Sequence, residues 1–417
     1  MCEKFWTMFD IVVRNARLRG WDCLVDIGVE DGKIAEISSL GLRGERVIDA
    51  GGRLVTEPFV NPHLHLCKVY TFHMIGDQAL QFYQEEKMTK ASEAIFAASE
   101  IKKRYKEDWV YANAKKALFE ALKHGCLFLR AFVDTDTIAR LEAVKAVLRL
   151  KQELADVLTI QVVAFPQEGV VRDPGAEELV WKAVEMGCDV VGGIPWIENS
   201  PKEQRLHVDK MFEIAKAFNR DVAMLTDDAG DPSLRTTEML VRKALEEKWV
   251  GRVSAHHSRA MALYEEGYLE DLIQLLRMTE ANIVSNPHTG PLHAPVKKLI
   301  DRGVNVALGQ DDVADAYYPF GRNKMLEVAF LASHILRMLS KSDIMKLFNM
   351  ITFNAAKAMR IPRYTVEKGS DATFIILDAE SIHHAFATQA DPLYILRRGE
   401  IILERHEEIR LDLRPHG

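Results

Sequence analysis

The sequence predicts an α/β protein, a (β/α)8 TIM barrel with a small β-sandwich domain formed by the N- and C-terminal segments. Three features predict this fold. Eight short apolar bursts alternate with amphipathic helical stretches, as expected for parallel strands that are buried on both faces. Short strands with tight turns precede the first burst and follow the last helical stretch. The length of 417 residues suits a barrel that carries an appendage.

Short strands are predicted at both ends of the chain, in residues 1–57 and 361–417. The N-terminal part has strands at Asp10–Arg17, Val25–Val29 and Ile34–Ile37, with a tight turn at Glu30-Asp31-Gly32-Lys33. The C-terminal part has strands at Ala372–Leu377, Leu393–Arg397 and Glu400–Leu403. Strands at the two ends of a barrel chain most economically share one sheet, so we expect these two parts to form a single β-domain.

The barrel is predicted over residues 58–360. The eight bursts are Pro58–Asn61, Leu127–Val133, Leu158–Phe165, Asp189–Ile194, Asp221–Thr226, Arg252–Ala255, Asn282–Ser285 and Val304–Leu308. The helical stretches between and after them are Asp108–Lys123, Ile138–Glu153, Ala176–Met186, Glu203–Phe218, Leu234–Glu247, Ala262–Met278, Lys324–Met338 and Ser342–Ala358. Strand and helix therefore alternate around a full barrel.

Composition and charge restrict the function. A formal net charge of -7 argues against a nucleic-acid or anionic-membrane partner, because phosphate binding needs a concentrated positive field. No apolar run approaches the roughly 20 residues that span a bilayer, and the N-terminus lacks a signal-peptide core. The five cysteines form no C-x-x-C pair, so we expect reduced thiols. These observations predict a cytoplasmic protein that acts on a small molecule.

Two histidines end the first burst, in Asn61-Pro62-His63-Leu64-His65. Functional groups of such barrels lie at the C-terminal ends of the strands, and residues two apart on a strand point to the same side. Both imidazoles can therefore face one metal ion, although two histidines on a strand can also be merely polar surface.

Asp311 and Asp312 directly follow the eighth burst and should emerge at the same mouth. A carboxylate there can bind the metal and accept the proton of its water. An aspartate at this place can also cap a helix. The adjacent pair allows both roles, and we assign Asp311 to the metal and Asp312 to its support.

Further polar side chains end the third and sixth bursts. His256 and His257 offer two imidazoles, of which one can hold a substrate oxygen or a water while the other packs. Gln167 can present both a donor and an acceptor to an amide-like ring edge. Each of these residues could also be an ordinary buried polar group.

Several segments together resemble the cytosine deaminase branch of the amidohydrolase superfamily. The run from Val47 to Gly52 that leads to Pro58–Leu66 resembles the first-strand signature of amidohydrolases. The segments that are similar to cytosine deaminase in order and spacing are 161–169, 189–195, 255–257, 309–313 and 318–321. The resemblance extends over most of residues 10–405.

The resemblance implies a homo-oligomeric deaminase with one divalent ion, zinc or iron. Carried over by position, the metal ligands fall on His63, His65 and Asp311. The glutamine that reads the pyrimidine falls on Gln167, and the strand-six histidine that assists the attacking water falls on His257. Asp312 then lies beside the substrate.

The sequence departs from this pattern at the same mouth. Leu225 occupies the position of the family's strand-five histidine ligand, and leucine cannot bind a metal. The proton-shuttling glutamate falls on Asp228, whereas a one-residue gap would select Asp227. Phe132 stands where relatives carry a strand-two histidine, and Gln310 precedes the aspartates where a histidine is usual. These changes predict a less polar pocket, and with it either a larger or more apolar substrate than cytosine or a weakly held metal ion.

The sequence therefore predicts a hydrolase that deaminates a nitrogen heterocycle, or cleaves a related cyclic C–N bond, with a metal-activated water. In this hypothesis Asp311 accepts the proton of the water, Asp228 passes it to the leaving nitrogen, and His257 assists. Three ligands remain for the ion, and His256 or His257 is available as a fourth. The residues expected to contact the substrate are Gln167, Asp312, His256, Phe132 and Leu225.

Two alternatives stay open at this point. One is a metal-independent or non-hydrolytic enzyme on the same barrel, in which these residues act as acids and bases. The other is a ligand-binding homologue with impaired catalysis, which the loss of the strand-five histidine favours. The retention of His63, His65, Gln167, His257 and both aspartates disfavours it.

Overall fold

The computed structural model describes residues 8–39, 41–406, 408 and 410. The chain forms two compact units. One unit is Phe59–Tyr364, and the other combines the segment up to Pro58 with the segment from Thr365 onward. The described residues contain sixteen strands and thirteen α-helices.

The strands are numbered in chain order. The N-terminal strands are β1 Met8–Leu18, β2 Val25–Glu30, β3 Lys33–Ser38, β4 Arg43–Asp49 and β5 Leu54–Thr56. The next eight are β6 Phe59–Leu64, β7 Cys126–Asp134, β8 Thr159–Phe165, β9 Val190–Gly193, β10 Asp221–Thr226, β11 Val253–His257, β12 Asn282–Ser285 and β13 Asn305–Leu308. The last three are β14 Phe374–Leu377, β15 Pro392–Arg397 and β16 Glu400–Glu404.

The helices are numbered in the same way. Those of the larger unit are α1 Gln78–Tyr83, α2 Ala91–Ala98, α3 Glu107–Lys123, α4 Glu142–Glu153, α5 Ala176–Glu185, α6 Pro201–Ala217, α7 Thr236–Glu246, α8 Glu266–Met278, α9 Val296–Asp301, α10 Met325–Ile335, α11 Lys341–Met350 and α12 Phe353–Ala358. Helix α13 is Ile382–Thr388. In the part of the chain that the structure describes, no helix is both long enough and apolar enough to cross a membrane.

Strands β6 to β13 form the barrel. They pair in parallel in chain order, and each of the eight is followed by a helix, so the predicted alternation of strand and helix is confirmed. Nearly all residues of these strands are buried, which explains their continuous apolar sequence. Helix α4 shows the complementary pattern, because it buries one face with Ala143, Val147 and Leu150.

The barrel is nearly closed where the end of β6 meets the segment after β13. The amide of Asp311 donates to the carbonyl of His63 at 2.9 Å, and the amide of His65 donates to the carbonyl of Asp311 at 2.8 Å. These two hydrogen bonds join the first and last strands of the barrel. They also place the candidate carboxylate directly beside the candidate histidine pair.

The segment between β6 and α3 contains α1 and α2, which the periodicity of the sequence did not indicate. Both helices are short, with 6 and 8 residues. Tyr83 and Ile95 from these helices are buried in one cluster with Phe132, Ile194 and Leu225 of the barrel. The segment therefore covers the end of the barrel where the candidate residues lie.

The terminal strands form an eight-stranded sheet of their own. Its order is β16-β15-β14-β5-β1-β2-β3, and β4 pairs with β1. The long strand β1 pairs in parallel with both β4 and β5. Because β14 pairs with β5, the two ends of the chain share this sheet.

A pair of glycines tests the tight packing at the barrel closure. A Cβ on Gly309 would lie 2.6 Å from the Cβ of His63 and 2.6 Å from Oδ1 of Asn286, whereas one on Gly267 in α8 would meet nothing within 4 Å. We expect Gly309→Ala to lower the free energy of unfolding by about 1–3 kcal/mol because it overpacks the closure. Gly267→Ala should leave it unchanged or raise it by up to about 1 kcal/mol. Urea denaturation measures both, and equal stability of the two variants would contradict this view of the closure.

Candidate active site

Four buried side chains form a cluster at the C-terminal end of the barrel. His63 and His65 come from the end of β6, His257 is the last residue of β11, and Asp311 follows β13. One ligand atom from each residue lies within 4.8 Å of the others. The Nε2 atoms of His63, His65 and His257 lie 3.0, 3.7 and 3.7 Å from Oδ1 of Asp311. Three strands that are distant in the sequence thus bring their polar groups to one point.

Unusual backbone conformations aim two members of this cluster. Asp311 has a backbone φ of 68° and His257 has a φ of 64°. Both values lie in the left-handed region, which residues other than glycine rarely adopt. Such conformations persist only where the surrounding structure holds them, and they are concentrated at functional sites. At Asp311 the two backbone hydrogen bonds of the barrel closure hold the residue in place.

The electrostatics of the cluster suit a bound cation. Burial lowers the pKa of His65 and of His257 well below the ordinary value, so both imidazoles are neutral near pH 7. Burial alone would raise the pKa of Asp311, but the facing imidazoles of His257 and His63 hold it well below its usual range. Neutral imidazoles and an ionised carboxylate are the forms that bind metal ions.

One buried ring nitrogen of the cluster lacks a partner. Among the described residues, Nδ1 of His65 forms no hydrogen bond, although it is buried. Buried polar atoms are normally paired, so an unpaired one at a functional site needs an explanation. Three imidazoles around one buried carboxylate are a donor set that fits a divalent metal ion, and the residues present therefore match this group.

A cavity of about 20 Å³ lies directly against the cluster. The residues that line the cavity are His65, Tyr83, Ile95, Gln167, Ile194, Leu225, Asp228, His257, Asp311, Asp312 and Tyr317.

The structure places Asp227 and Asp228 in different environments. The carboxylate of Asp227 accepts hydrogen bonds from the amides of Thr236 and Thr237 and from the hydroxyl of Tyr264, so it anchors the start of α7. Asp228 instead faces the cavity. Burial raises the pKa of Asp228 to about 7, against the opposing effect of Arg259. A carboxyl group with this pKa can both donate and accept a proton near neutral pH.

Arg259 is a fully buried cation behind the cavity wall. Its Nε donates to Oδ1 of Asp228 at 2.8 Å, and its Nη2 donates to the hydroxyl of Thr289 at 2.8 Å. That hydroxyl in turn donates to Oδ2 of Asp311 at 2.7 Å. Arg259 therefore connects the two carboxylates that the sequence assigned to proton transfer.

Gln167 lines the cavity as part of a second buried polar network. Its Oε1 accepts a hydrogen bond from Nζ of Lys68, and its Nε2 donates to the hydroxyl of Tyr317 at 3.1 Å. Burial opposes the charge of Lys68, but the carboxylate of Asp134, 3.5 Å away, raises the pKa above the ordinary value. Lys68 is therefore a cation within contact of the cavity wall.

Asp312 lies beside Asp311 on the cavity wall. Burial raises its pKa well above the ordinary value, and the neighbouring Asp311 and Asp315 act in the same direction. Its Oδ1 has no hydrogen-bond partner in the described part of the chain. A neutral carboxyl here can donate a hydrogen bond into the cavity.

The apolar residues that replace family histidines occupy two different positions. Leu225 lines the cavity together with Ile95 and Ile194. Phe132 is fully buried and does not line the cavity, because its ring packs 4.3 Å from the ring of His63, behind the cluster. His256 lies there as well, with its ring 4.8 Å from that of Phe132. The structure thus brings together all the residues assigned from the sequence, but it places Phe132 and His256 outside the cavity wall.

Sequence reasoning missed several residues of the site. Lys68 follows His65 by three positions and Arg259 follows His257 by two, so proximity to the strand ends was a signal that could have found both. Tyr83, Ile95 and Tyr317 carry no such signal, because they lie on loops or short helices far from any strand end in the sequence.

A comparison with known families shows which family the chain belongs to. The model of the Amidohydrolase family matches residues 46–402. The chain belongs to this family. This amidohydrolase is 30% identical over 405 residues, 95% of its chain and 98% of the relative, to the N-isopropylammelide isopropyl amidohydrolase of Pseudomonas sp. (strain ADP).

Solved structures of amidohydrolases are similar in fold. The 5-methylcytosine deaminase of Klebsiella pneumoniae liganded with 5-fluorocytosine is 32% identical, with a TM-score of 0.89 that covers 96% of this chain and 99% of that one. The N-isopropylammelide isopropylaminohydrolase of Burkholderia multivorans is 23% identical and has a TM-score of 0.82, over 95% of this chain and 98% of that one. This amidohydrolase is accordingly a hydrolase of C–N bonds other than peptide bonds.

Arg259 offers a test of the buried charge arrangement. Arg259→Met leaves Asp228 without its cation, so we expect the free energy of unfolding to fall by about 3 kcal/mol. Adding Asp228→Asn should recover part of that loss, because it removes the uncompensated carboxylate. As a control, Arg302→Met at the exposed pair with Glu270 should cost less than about 1 kcal/mol. Urea denaturation gives these values, and an Arg259→Met protein as stable as the parent would rule out a net stabilising pair.

Proposed function

We propose that this amidohydrolase is a metal-dependent deaminase of an alkyl-substituted nitrogen heterocycle. The observation that carries the proposal is the cluster of His63, His65, His257 and Asp311, whose ligand atoms lie within 4.8 Å of one another. Gln167, Asp228 and Asp312 face the same cavity and supply the groups that hold a ring and move protons.

The four members of the cluster would hold one divalent ion, zinc or iron. Imidazole nitrogens with one carboxylate oxygen are a donor set that zinc prefers, and catalytic zinc commonly has three protein ligands with a further open position. Leu225 supplies no donor, so His257 would take the place of the missing ligand. When bound, the ion would provide Lewis-acid activation of a water molecule.

The acidic residues would divide the proton transfers. Asp311 lies at the centre of the cluster and would accept the proton of the attacking water. Asp228 has a pKa of about 7 and would deliver a proton to the leaving nitrogen. Arg259 holds the two carboxylates in a fixed relation through Thr289. Proton removal and proton delivery would therefore occur at two linked carboxylates of one cavity.

Gln167, Lys68 and Asp312 would recognise the ring. The amide of Gln167 offers a donor and an acceptor, and Lys68 fixes its orientation by donating to Oε1. The neutral carboxyl of Asp312 would donate to a ring nitrogen or an oxygen substituent. A ring with alternating donors and acceptors, such as an aminopyrimidine or an aminotriazine, matches these groups.

The remaining wall would hold an alkyl group. Ile95, Ile194 and Leu225 lie together on the cavity, and apolar side chains recognise methyl or isopropyl groups through buried area. Two relatives of this chain are named for substrates with such groups, namely 5-methylcytosine and N-isopropylammelide. Their similarity to this chain supports the assignment of the apolar wall to a substituent of the ring.

Turnover with a defined metal tests the proposed reaction. We expect protein loaded with zinc or iron(II) to release ammonia or an alkylamine from at least one aminated pyrimidine, triazine or pterin. Asp228→Asn should lower kcat by about 100-fold or more, because it removes the proton donor. Asp231→Asn, at an exposed loop position, should retain activity. Silence on the whole panel by protein that contains stoichiometric metal would refute the proposal.

The apolar wall predicts a preference for alkylated rings. Leu225→Ala removes apolar contact with the substituent, so we expect the ratio of kcat/KM for an alkylated over an unalkylated ring to fall by about 10-fold or more. Leu206→Ala on the exposed side of α6 is the matched control and should leave this ratio unchanged. If the ratio is equal for the parent and Leu225→Ala, the wall has a different role.

A further inference from the structure

A buried carboxylate and a buried imidazole link two parts of the cavity wall. Gln167 lies on the loop after β8 and Ile194 directly follows β9, and both line the cavity. Glu198 and His207 form the Glu198–His207 pair, whose side chains are buried and do not line the cavity. The proposed reaction assigns no role to either member of the pair.

The carboxylate of Glu198 binds the loop after β8 through three consecutive amides. Its Oε1 accepts from the amides of Val170 and Val171 at 2.8 and 3.0 Å, and its Oε2 accepts from the amide of Arg172 at 2.9 Å. The guanidinium of Arg172 also donates to the carbonyl of Ile197 at 3.0 Å. Hydrogen bonds to an ionised acceptor are stronger than those between neutral groups, so Glu198 holds the backbone of this loop firmly.

The imidazole of His207 joins this carboxylate to the other part of the wall. Nδ1 of His207 lies 2.8 Å from Oε1 of Glu198, and the amide of Ile194 donates to Nε2 of His207 at 3.1 Å. A backbone amide can only donate, so Nε2 is the accepting nitrogen and the ring donates to Glu198 from Nδ1. Burial would raise the pKa of Glu198, but the hydrogen bonds from His207 and from the loop amides hold it below its ordinary value.

The pairing of the two strands ends before it reaches the wall residues. Strands β8 and β9 pair Val163 with Val190 and Ala164 with Val191. Gln167 follows the last paired residue of β8 by three positions, and Ile194 follows that of β9 by three. The sheet therefore does not fix these two residues relative to each other, whereas the Glu198–His207 pair binds the backbone beside both.

Two glycines leave the space that the Glu198–His207 pair occupies. A Cβ on Gly169 would lie 2.7 Å from Oε1 of Glu198, and one on Gly193 would lie 3.0 Å from Nε2 of His207. Both contacts are too close for a side chain. The residue that follows Gly193 is the wall residue Ile194, so the pair packs directly against the backbone that carries the wall.

We propose that Glu198 and His207 are positioning residues that fix Gln167 and Ile194 relative to each other in the substrate cavity. The inference rests on the proposed function and deepens it, because these two wall residues are the polar and the apolar contacts assigned to the ring and its substituent. Lys68 and Tyr317 orient the amide of Gln167, whereas the pair holds the backbone that carries it.

The pair should affect ring binding more than the chemical step. Its hydrogen bonds reach the segments after β8 and β9, whereas Asp228 and the metal cluster come from β6, β10, β11 and the segment after β13. Contacts made equally in the bound substrate and in the transition state change KM and leave kcat unchanged. A loss of the pair is therefore expected to appear mainly in KM.

Steady-state kinetics with a heterocycle that the metal-loaded parent deaminates test this role. We expect His207→Leu, which removes both nitrogens, to raise KM by about 10-fold or more, because a misplacement of about 1 Å can cost on the order of 100-fold. kcat should stay within about 3-fold of the parent value. Glu198→Gln turns N–H groups toward backbone donors and should raise KM in the same way. His207→Gln keeps a donor and an acceptor and should restore most of the parent KM.

Met211→Ala is the matched control for a loss of stability alone. Met211 is a fully buried residue of the same helix α6 and does not line the cavity. Its truncation leaves a void, so Tm should fall while KM stays close to the parent value. If KM of His207→Leu equals that of the parent or of Met211→Ala, the Glu198–His207 pair has no positioning role and the proposal is wrong.

Amide hydrogen exchange followed by mass spectrometry tests the link without turnover. We expect His207→Leu to exchange faster than the parent in both segments, 167–172 and 192–198, whereas Met211→Ala should leave 167–172 unchanged. If His207→Leu does not fold, Glu198→Gln serves for the same comparison. Parent-like exchange in either segment would overturn the proposal. A metal-loaded parent that converts no ring refutes the proposed function, whereas the exchange result still decides whether the pair holds the two segments together.

Discussion

The closure of the barrel is the interaction on which the site depends. Two backbone hydrogen bonds between the end of β6 and Asp311 join segments that are nearly 250 positions apart, and they place the carboxylate beside His63 and His65. Because the backbone itself makes this contact, the closeness of these segments does not depend on side-chain conformation. The left-handed conformation of Asp311 is the local cost of this arrangement, and the closed sheet holds it.

Paired charges make it possible to bury so many polar groups around one small cavity. A buried ion is several kcal/mol less stable than a solvated one unless partners surround it. Arg259 compensates Asp228 and, through Thr289, contacts Asp311, while Lys68 is compensated by Asp134. For Asp312, burial and the neighbouring carboxylates outweigh the effect of Lys68 and raise the pKa, which favours the neutral carboxyl as the alternative solution.

The imidazoles of the site are concentrated on two elements of the barrel. Strand β6 contributes His63 and is directly followed by His65, and β11 contributes His256 and His257. Strands β7 and β10 contribute Phe132 and Leu225. His257 enters the cluster, and Nδ1 of His256 lies 2.7 Å from Nδ1 of His63 in the barrel interior. Phe132 excludes water from these groups, and Leu225 adds an apolar wall to the cavity. The two replacements of family histidines by apolar residues therefore affect both the polar groups that the site offers and its shape.

The sequence by itself determined the barrel, the histidine pair and Asp311, because strand periodicity is local and polar groups at the ends of parallel strands share one mouth. Only the tertiary structure decided between Asp227 and Asp228, since one residue caps α7 and its neighbour faces the cavity. The structure also revealed α1 and α2, which are too short to show a clear helical periodicity in the sequence. It placed His256 and Phe132 behind His63. Which residues face the cavity depends on contacts between distant segments, and these contacts cannot be predicted from the spacing of residues along the chain.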